Sequence, residues 1–217
     1  MISCLTALSG IAWTIVYVEA IRIGFTQKTY ALPVAALALN IAWESIYSEW
    51  GLRTDPGLQA YINLVWALAD VAIVYTFFRY GRSELPSWVT TSMFVSWGVG
   101  VLATAFVVQW AFVAEFDFAQ AARYAAFLQN LLMSGLFIAM FVGRQGPRGQ
   151  SMTIAVAKWI GTAAPTIVFG VHEDSAFILT IGILCFVFDV AYIALLAWAR
   201  AHPEAFPTDV RTRLVHA

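Results

Sequence analysis

Residues 176–199 read AFILTIGILCFVFDVAYIALLAWA, with one charged side chain, Asp189. A membrane-spanning helix needs about 20 consecutive, mostly apolar residues, so this stretch predicts a transmembrane helix. Working outward, six more stretches share its character, at about 4–23, 30–49, 59–78, 87–112, 122–142 and 152–170. The whole chain is 61% hydrophobic, 15% aromatic and only 12% charged, too apolar for a soluble globular domain. The connections are too short for a separate soluble domain. The expectation is an all-α membrane protein: one seven-helix bundle over residues 1–201 and a polar cytoplasmic tail at 202–217. The first stretch lacks a basic leading segment and a small-residue cleavage site, so it reads as a retained helix.

Charge distribution predicts orientation. One set of connections and ends carries Arg22, Lys28, Arg79, Arg82, Arg144, Arg148, Lys158, Arg200, Arg211 and Arg213. The opposite set holds only Arg53 and Arg123 as cations, with Glu49, Asp55, Glu115, Asp117, Glu173 and Asp174. Basic loops stay cytoplasmic, which puts the N-terminus outside and the C-terminus inside. Cys4 and Cys185 lie in apolar stretches and read as small hydrophobes. His172, His202 and His216 stand in loops or the tail, with no metal-ligand spacing. No repeat recurs, which disfavours a transporter of inverted repeats. The segment GRQGPRGQSM (143–152) lacks the order of a phosphate-binding loop and reads as a basic turn. Pro165 predicts a kink or local break in helix six.

Helical periodicity sorts the polar residues into stripes. Helix two presents Asn40, Glu44 and Tyr47, with Trp43 beside them; helix three presents Asn63, Trp66 and Asp70. Helix five brings Gln129, Asn130 and Ser134, helix six Lys158, Thr162 and Thr166, and helix seven Cys185, Asp189 and Tyr192. Helices one and four offer less, Gln109 being the main exception. Lipid satisfies none of these groups, so they are expected to face a shared interior. Amides and hydroxyls in such bundles are ordinarily interhelical glue, at about 0.6 kcal/mol per hydrogen bond. Trp50 and Trp88 read as interfacial belt residues. For Lys158, snorkelling to the headgroups, an interior role, and pairing with Asp70 or Asp189 are all open.

Glu44, Asp70 and Asp189 are harder to assign to glue. An acid at the centre of a spanning helix costs about 2.5–3.5 kcal/mol on insertion scales, which makes it a functional candidate. A carboxyl in a low-dielectric pocket favours its neutral form and so is a proton donor. Aromatic faces stabilise cations, by about 2 kcal/mol or more when desolvated. An acid, aromatic walls and a dry cavity suit carbocation chemistry; the same acids also suit a proton-coupled carrier, or a non-catalytic lipid-binding bundle. No D-D-x-x-D run is present for a magnesium-bound diphosphate, and helix seven has no lysine for a retinal Schiff base.

Four blocks, NIAWESIY (40–47), WALADVAIVYTFFRYG (66–81), RGQSMTIAVAKWIGTAAPT (148–166) and FDVAYIALL (188–196), resemble the integral-membrane terpene cyclases of fungal meroterpenoid and indole-diterpene pathways, of pyripyropene and paxilline type. The shorter loops and Ala/Val-rich helices read as a divergent or bacterial-like member. The resemblance implies a compact seven-helix bundle. It implies protonation of a terminal epoxide or olefin of a prenyl chain, followed by cyclisation without a metal or other cofactor. The family's two essential acids map to Glu44 and Asp189, and Asp70 matches a further acidic position. The expected substrate is a prenylated small molecule taken from the lipid bilayer and folded against Trp43, Tyr47, Trp66 and Tyr192. Asn40, Asp70, Gln129, Asn130 and Lys158 complete the expected surroundings; no nucleic acid partner is expected. On this topology Glu44 and Asp189 differ in depth by about 10 Å.

Overall fold

A computed structural model describes residues 2–54 and 56–206, so Asp55, Arg211, Arg213, His216 and most of the expected tail lie outside the described residues. The described residues form seven long helices, with no strand among them: α1 (Ile2–Thr26), α2 (Val34–Thr54), α3 (Leu58–Tyr80), α4 (Thr91–Glu115), α5 (Phe118–Gly143), α6 (Met152–Pro165) and α7 (Ala176–Ala201). Short 3-10 turns follow α3 at Gly81–Glu84 and α7 at Pro203–Ala205. All seven predicted stretches are helices, with shifted ends.

Capping explains two of those shifts and the clean starts of others. Thr90 accepts a hydrogen bond from the Met93 amide, so α4 begins at Thr91 instead of 87. Asp117 accepts from the amides of Ala119 and Gln120 and starts α5 at Phe118. Ser151 and Ser175 cap α6 and α7 in the same way. α2 begins just after Pro33 and runs on to Thr54, which places Glu44 nearer mid-helix than a segment ending at 49 would.

Six of the helical segments, all but α2, are long and apolar enough to cross a membrane. α2 falls short in apolarity because it carries Asn40, Glu44, Ser45, Ser48, Glu49 and Arg53. Its neighbours make that tolerable, since α2 packs against α3, α4 and α5. Polar side chains at this depth are then enclosed by protein instead of lipid. α1 packs on α3 and α6, and α7 closes the bundle against α5 and α6. Large apolar side chains such as Ile11, Val65, Val107 and Val187 point outward, as a lipid-facing surface requires. The chain is a multi-pass integral membrane protein.

The predicted disturbance at Pro165 takes a specific form. Proline has no N–H to donate to the preceding turn. Instead of breaking, the helix widens into a π-helical segment, Thr166–His172, whose last bond runs from the Glu173 amide to the Val168 carbonyl. Such segments cluster at functional sites, and this one lines the bundle's cavity.

Candidate active site

A cavity of about 300 Å³ opens among α1, α2, α3, α5 and the α6 π-segment. Its mouth is marked by Thr6, Gln59, Arg123 and Phe169, each near the end of its helix on the same side of the bundle. Its walls are Trp13, Trp43, Trp66 and Phe127. Tyr17, Asn40, Glu44 and Gln129 form the buried floor. Along α1 the lining runs from Thr6 to Tyr17, about 16 Å at 1.5 Å per residue.

Among the described residues Glu44 is the only acid on this lining, and it is 5% exposed. The Tyr17 hydroxyl donates to its Oε1 at 3.2 Å, while Oε2 has no partner. An amide ladder crosses the bundle behind it. Gln109 Nε2 donates to Gln129 Oε1 at 2.8 Å, and Gln129 Nε2 donates to Asn40 Oδ1 at 3.1 Å. With Asn40 Oδ1 occupied as acceptor, its NH₂ side is left for the Tyr17 hydroxyl it stands beside. Asn130 also lines the cavity, and its buried Oδ1 accepts nothing.

Both cavity indoles on α2 and α3 are tethered by their N–H groups. Trp43 Nε1 donates to the Ala122 carbonyl at 2.9 Å, and Trp66 Nε1 donates to Thr14 Oγ1 at 3.2 Å. Trp66 also stacks on Tyr17, with ring centroids 5.7 Å apart. Tethering fixes the rings in place along the lining, where a π-face can meet a passing cation.

Not all the expected residues come together here. Asn40, Trp43, Glu44, Trp66, Gln129 and Asn130 line the cavity, whereas Tyr47, Asp70, Lys158, Asp189 and Tyr192 do not. Asp70 is wholly buried with both carboxylate oxygens unpartnered, within Coulomb range of Glu44 and Tyr17. Lys158 Nζ donates to Asp189 Oδ1 at 2.8 Å, Oδ2 at 3.0 Å and Ser134 Oγ at 2.7 Å. Of the alternatives for Lys158, the structure therefore selects the ion pair with Asp189, closed on itself behind the lining. Tyr47 packs between Trp43 and Phe118 at centroid distances of 4.9 and 4.8 Å. Tyr192 stacks on Phe137 and donates to Gln150 Oε1 at 2.6 Å, away from the cavity.

Sequence reasoning overlooked Tyr17 and Trp13, used Arg123 only for orientation, and noticed Gln109 without giving it a task. Helix one was set aside as offering little polar content on an inward stripe. The available signal was Trp13 and Tyr17 at an i, i+4 spacing, which puts two large aromatic residues on one face. Among the described residues, no three histidine, cysteine or carboxylate side chains converge to hold a metal ion.

Comparison with known proteins places the chain among membrane terpene cyclases by sequence. The chain is 28% identical over 163 residues to the Pyr4-family terpene cyclase mfmH of Annulohypoxylon moriforme, covering 74% of this chain and 66% of that protein. It is 25% identical over 198 residues to terpene cyclase pyr4 of Aspergillus fumigatus, covering 86% and 82%. It is 28% identical over 168 residues to terpene cyclase ascF of Acremonium egyptiacum, covering 70% and 61%. The matched stretch thus spans about two thirds of the length of the first and third of these relatives. No solved structure matches the chain. The family model of Pyr4-like transmembrane terpene cyclases matches residues 1–202, and with that extent of match the chain belongs to this family.

Proposed function

We propose that the protein is a membrane terpene cyclase in which Glu44 starts the reaction by protonating the terminal epoxide or olefin of a prenyl chain. The observation that carries this reading is the placement of Glu44. Among the described residues it is the one acid on an aromatic-walled cavity, with one oxygen bonded to Tyr17 and the other free. A carboxyl with no cation beside it in an apolar enclosure keeps its proton and can deliver it.

The chain enters tail first and lies along Trp13, Trp43 and Trp66. Proton transfer from Glu44 to the epoxide oxygen breaks a C–O bond as the neighbouring double bond supplies its electron pair to the electron-poor carbon. Each new C–C bond moves the positive charge to the next alkene carbon, past an aromatic face that stabilises it. The last cation gives up a proton to water, and a proton from water restores Glu44 to its acid form, so the product is an isomer of the substrate and the enzyme is unchanged. Asn130 Oδ1 offers an acceptor for the hydroxyl that epoxide opening creates.

Tyr17 and Asn40 hold Glu44 in register, and Asp70 stands behind it. Asp189 acts through Lys158, keeping α5, α6 and α7 in the positions that shape the cavity wall. In this reading seven helices span the bilayer, with the N-terminus outside, and the cavity mouth faces the extracytoplasmic side. A carrier would use Lys158 and the acids as a connected path. The closure of Lys158 on Asp189, off the lining, favours the cyclase instead.

The test is turnover. Membranes holding the protein, incubated with epoxidised and plain farnesyl or geranylgeranyl acceptors, are expected to give new isomers of unchanged mass. Those isomers should vanish with Glu44→Gln. Full turnover in Glu44→Gln would remove Glu44 from the role. pH-gradient-dependent flux in proteoliposomes, with no isomer formed, would support the carrier.

A further inference from the structure

The cavity has two chemically distinct ends. Among the described residues, Glu44 is the only anionic side chain on the lining and lies at the floor, and Arg123 is the only cationic one and lies at the mouth. Along α5, Arg123 and Asn130 are separated by about 10 Å at 1.5 Å per residue. Between the two ends the wall is mostly aromatic, with Trp13, Trp43 and Trp66.

Arg123 is unusual for its side of the bundle. Among the described residues only Arg53 and Arg123 are lysine or arginine at that end, and Arg53 is spent on an exposed i, i+4 pair with Glu49 at 2.6 Å. Arg123 points at the cavity instead. Its guanidinium lies over the Phe169 ring, 4.5 Å from the centroid, and its Nη1 pairs with Glu173. Phe169 belongs to the π-segment and Glu173 follows it directly, so the widened turn after Pro165 is what holds the guanidinium in place. Among the described residues, Nη1 is the only Arg123 nitrogen hydrogen-bonded to a protein acceptor. The remaining N–H donors are left on a planar fork that matches a carboxylate or another pair of anionic oxygens.

We infer that Arg123 is a binding residue for an anionic oxygen head on the substrate, so that the preferred substrate is a prenyl chain carrying an acidic head. The head sits at the mouth against Arg123 and Phe169 while the tail reaches Glu44. This assignment rests on the cyclase reading for the tail and on Arg123 alone for the head. Glu173 competes with the head for the guanidinium and holds Arg123 in place when the cavity is empty. A neutral terpenoid lacks the group that would displace it.

Binding is measured apart from turnover. Intrinsic fluorescence of the purified protein, with three tryptophans on the lining, is titrated with a farnesylated benzoic acid and with its methyl ester. The acid-to-ester affinity ratio is compared between variants, which cancels the different partitioning of the two probes into detergent. Arg123→Gln is expected to lower that ratio at least tenfold, with Arg123→Lys in between, since it keeps the charge and loses the fork. Glu173→Gln is expected to raise it. A ratio in Arg123→Gln within twofold of the wild type overturns the assignment. Should Arg123→Gln not fold, Glu173→Gln decides, and an unchanged or lowered ratio overturns it. With the epoxidised pair, absence of any isomer while the binding ratio still depends on Arg123 would count against the cyclase reading and leave the anion site standing.

Discussion

Lys158 and Asp189 face each other across α6 and α7 as a buried pair, with Nζ 2.8 and 3.0 Å from the two carboxylate oxygens and neither residue touching the cavity that Glu44 lines. Lys158 is 0% and Asp189 2% exposed, so each charge depends on the other. Breaking such a pair costs about 3–5 kcal/mol, whereas replacing both partners by apolar residues is often neutral.

Asp189→Asn and Lys158→Met are each expected to lower thermal stability in detergent and to lose most turnover. The double variant Lys158→Met/Asp189→Leu should regain stability and a measurable part of the activity. A double variant that folds as well as the wild type and stays inactive would show that Asp189 acts on the substrate directly.

Glu44→Gln keeps the shape of the side chain and removes the donated proton. Loss of general-acid catalysis is expected to cost about 100- to 10,000-fold in kcat, with the melting temperature close to that of the wild type. Tyr17→Phe removes the hydrogen bond to Oε1, worth about 1 kcal/mol or roughly fivefold in rate, and leaves the donated proton in place. Single-turnover kinetics on both variants separates the two sizes of effect.

Gln109 lies outside the cavity and is 1% exposed. Gln109→Leu strips the donor from Gln129 Oε1 and frees the ladder to Asn40. A stability loss of about 1–3 kcal/mol is expected. A drop in kcat larger than the change in KM should accompany it, because the ladder orients the floor and not the walls.

The π-segment is held by close approach. A Cβ at Gly182 on α7 would overlap the Thr166 side chain at the start of that segment. Gly182→Val is expected to destabilise by about 1–3 kcal/mol through overpacking, and a Thr166→Ala background should relieve most of it. Thermal unfolding of the two single variants and the double variant measures the relief.

Much of the arrangement could be read from local sequence. Seven apolar stretches gave seven helices, because the length and apolarity that suit a bilayer are local properties. Glu44, Asp70 and Asp189 are all buried, as the cost of a lipid-facing acid requires. Stripe periodicity brought Asn40, Trp43, Glu44, Trp66, Gln129 and Asn130 to one interior, because side-chain direction along a helix follows its 3.6-residue turn.

Other features needed the neighbours. Periodicity says which face a residue takes but not which helix meets that face, so Asp189 and Tyr192 were grouped with the cavity while packing turned them to Lys158 and Gln150. Tyr17 and Arg123 join the site only because α1 packs on α3, where Tyr17 meets Trp66, and because the π-segment carries Phe169 under the guanidinium. By itself the sequence determined a helical membrane protein with buried acids and the helix face on which each acid lies. Only the tertiary structure decided which acid meets a cavity and which meets a lysine, because that choice depends on helix pairing and rotation, set by packing between segments far apart in the chain.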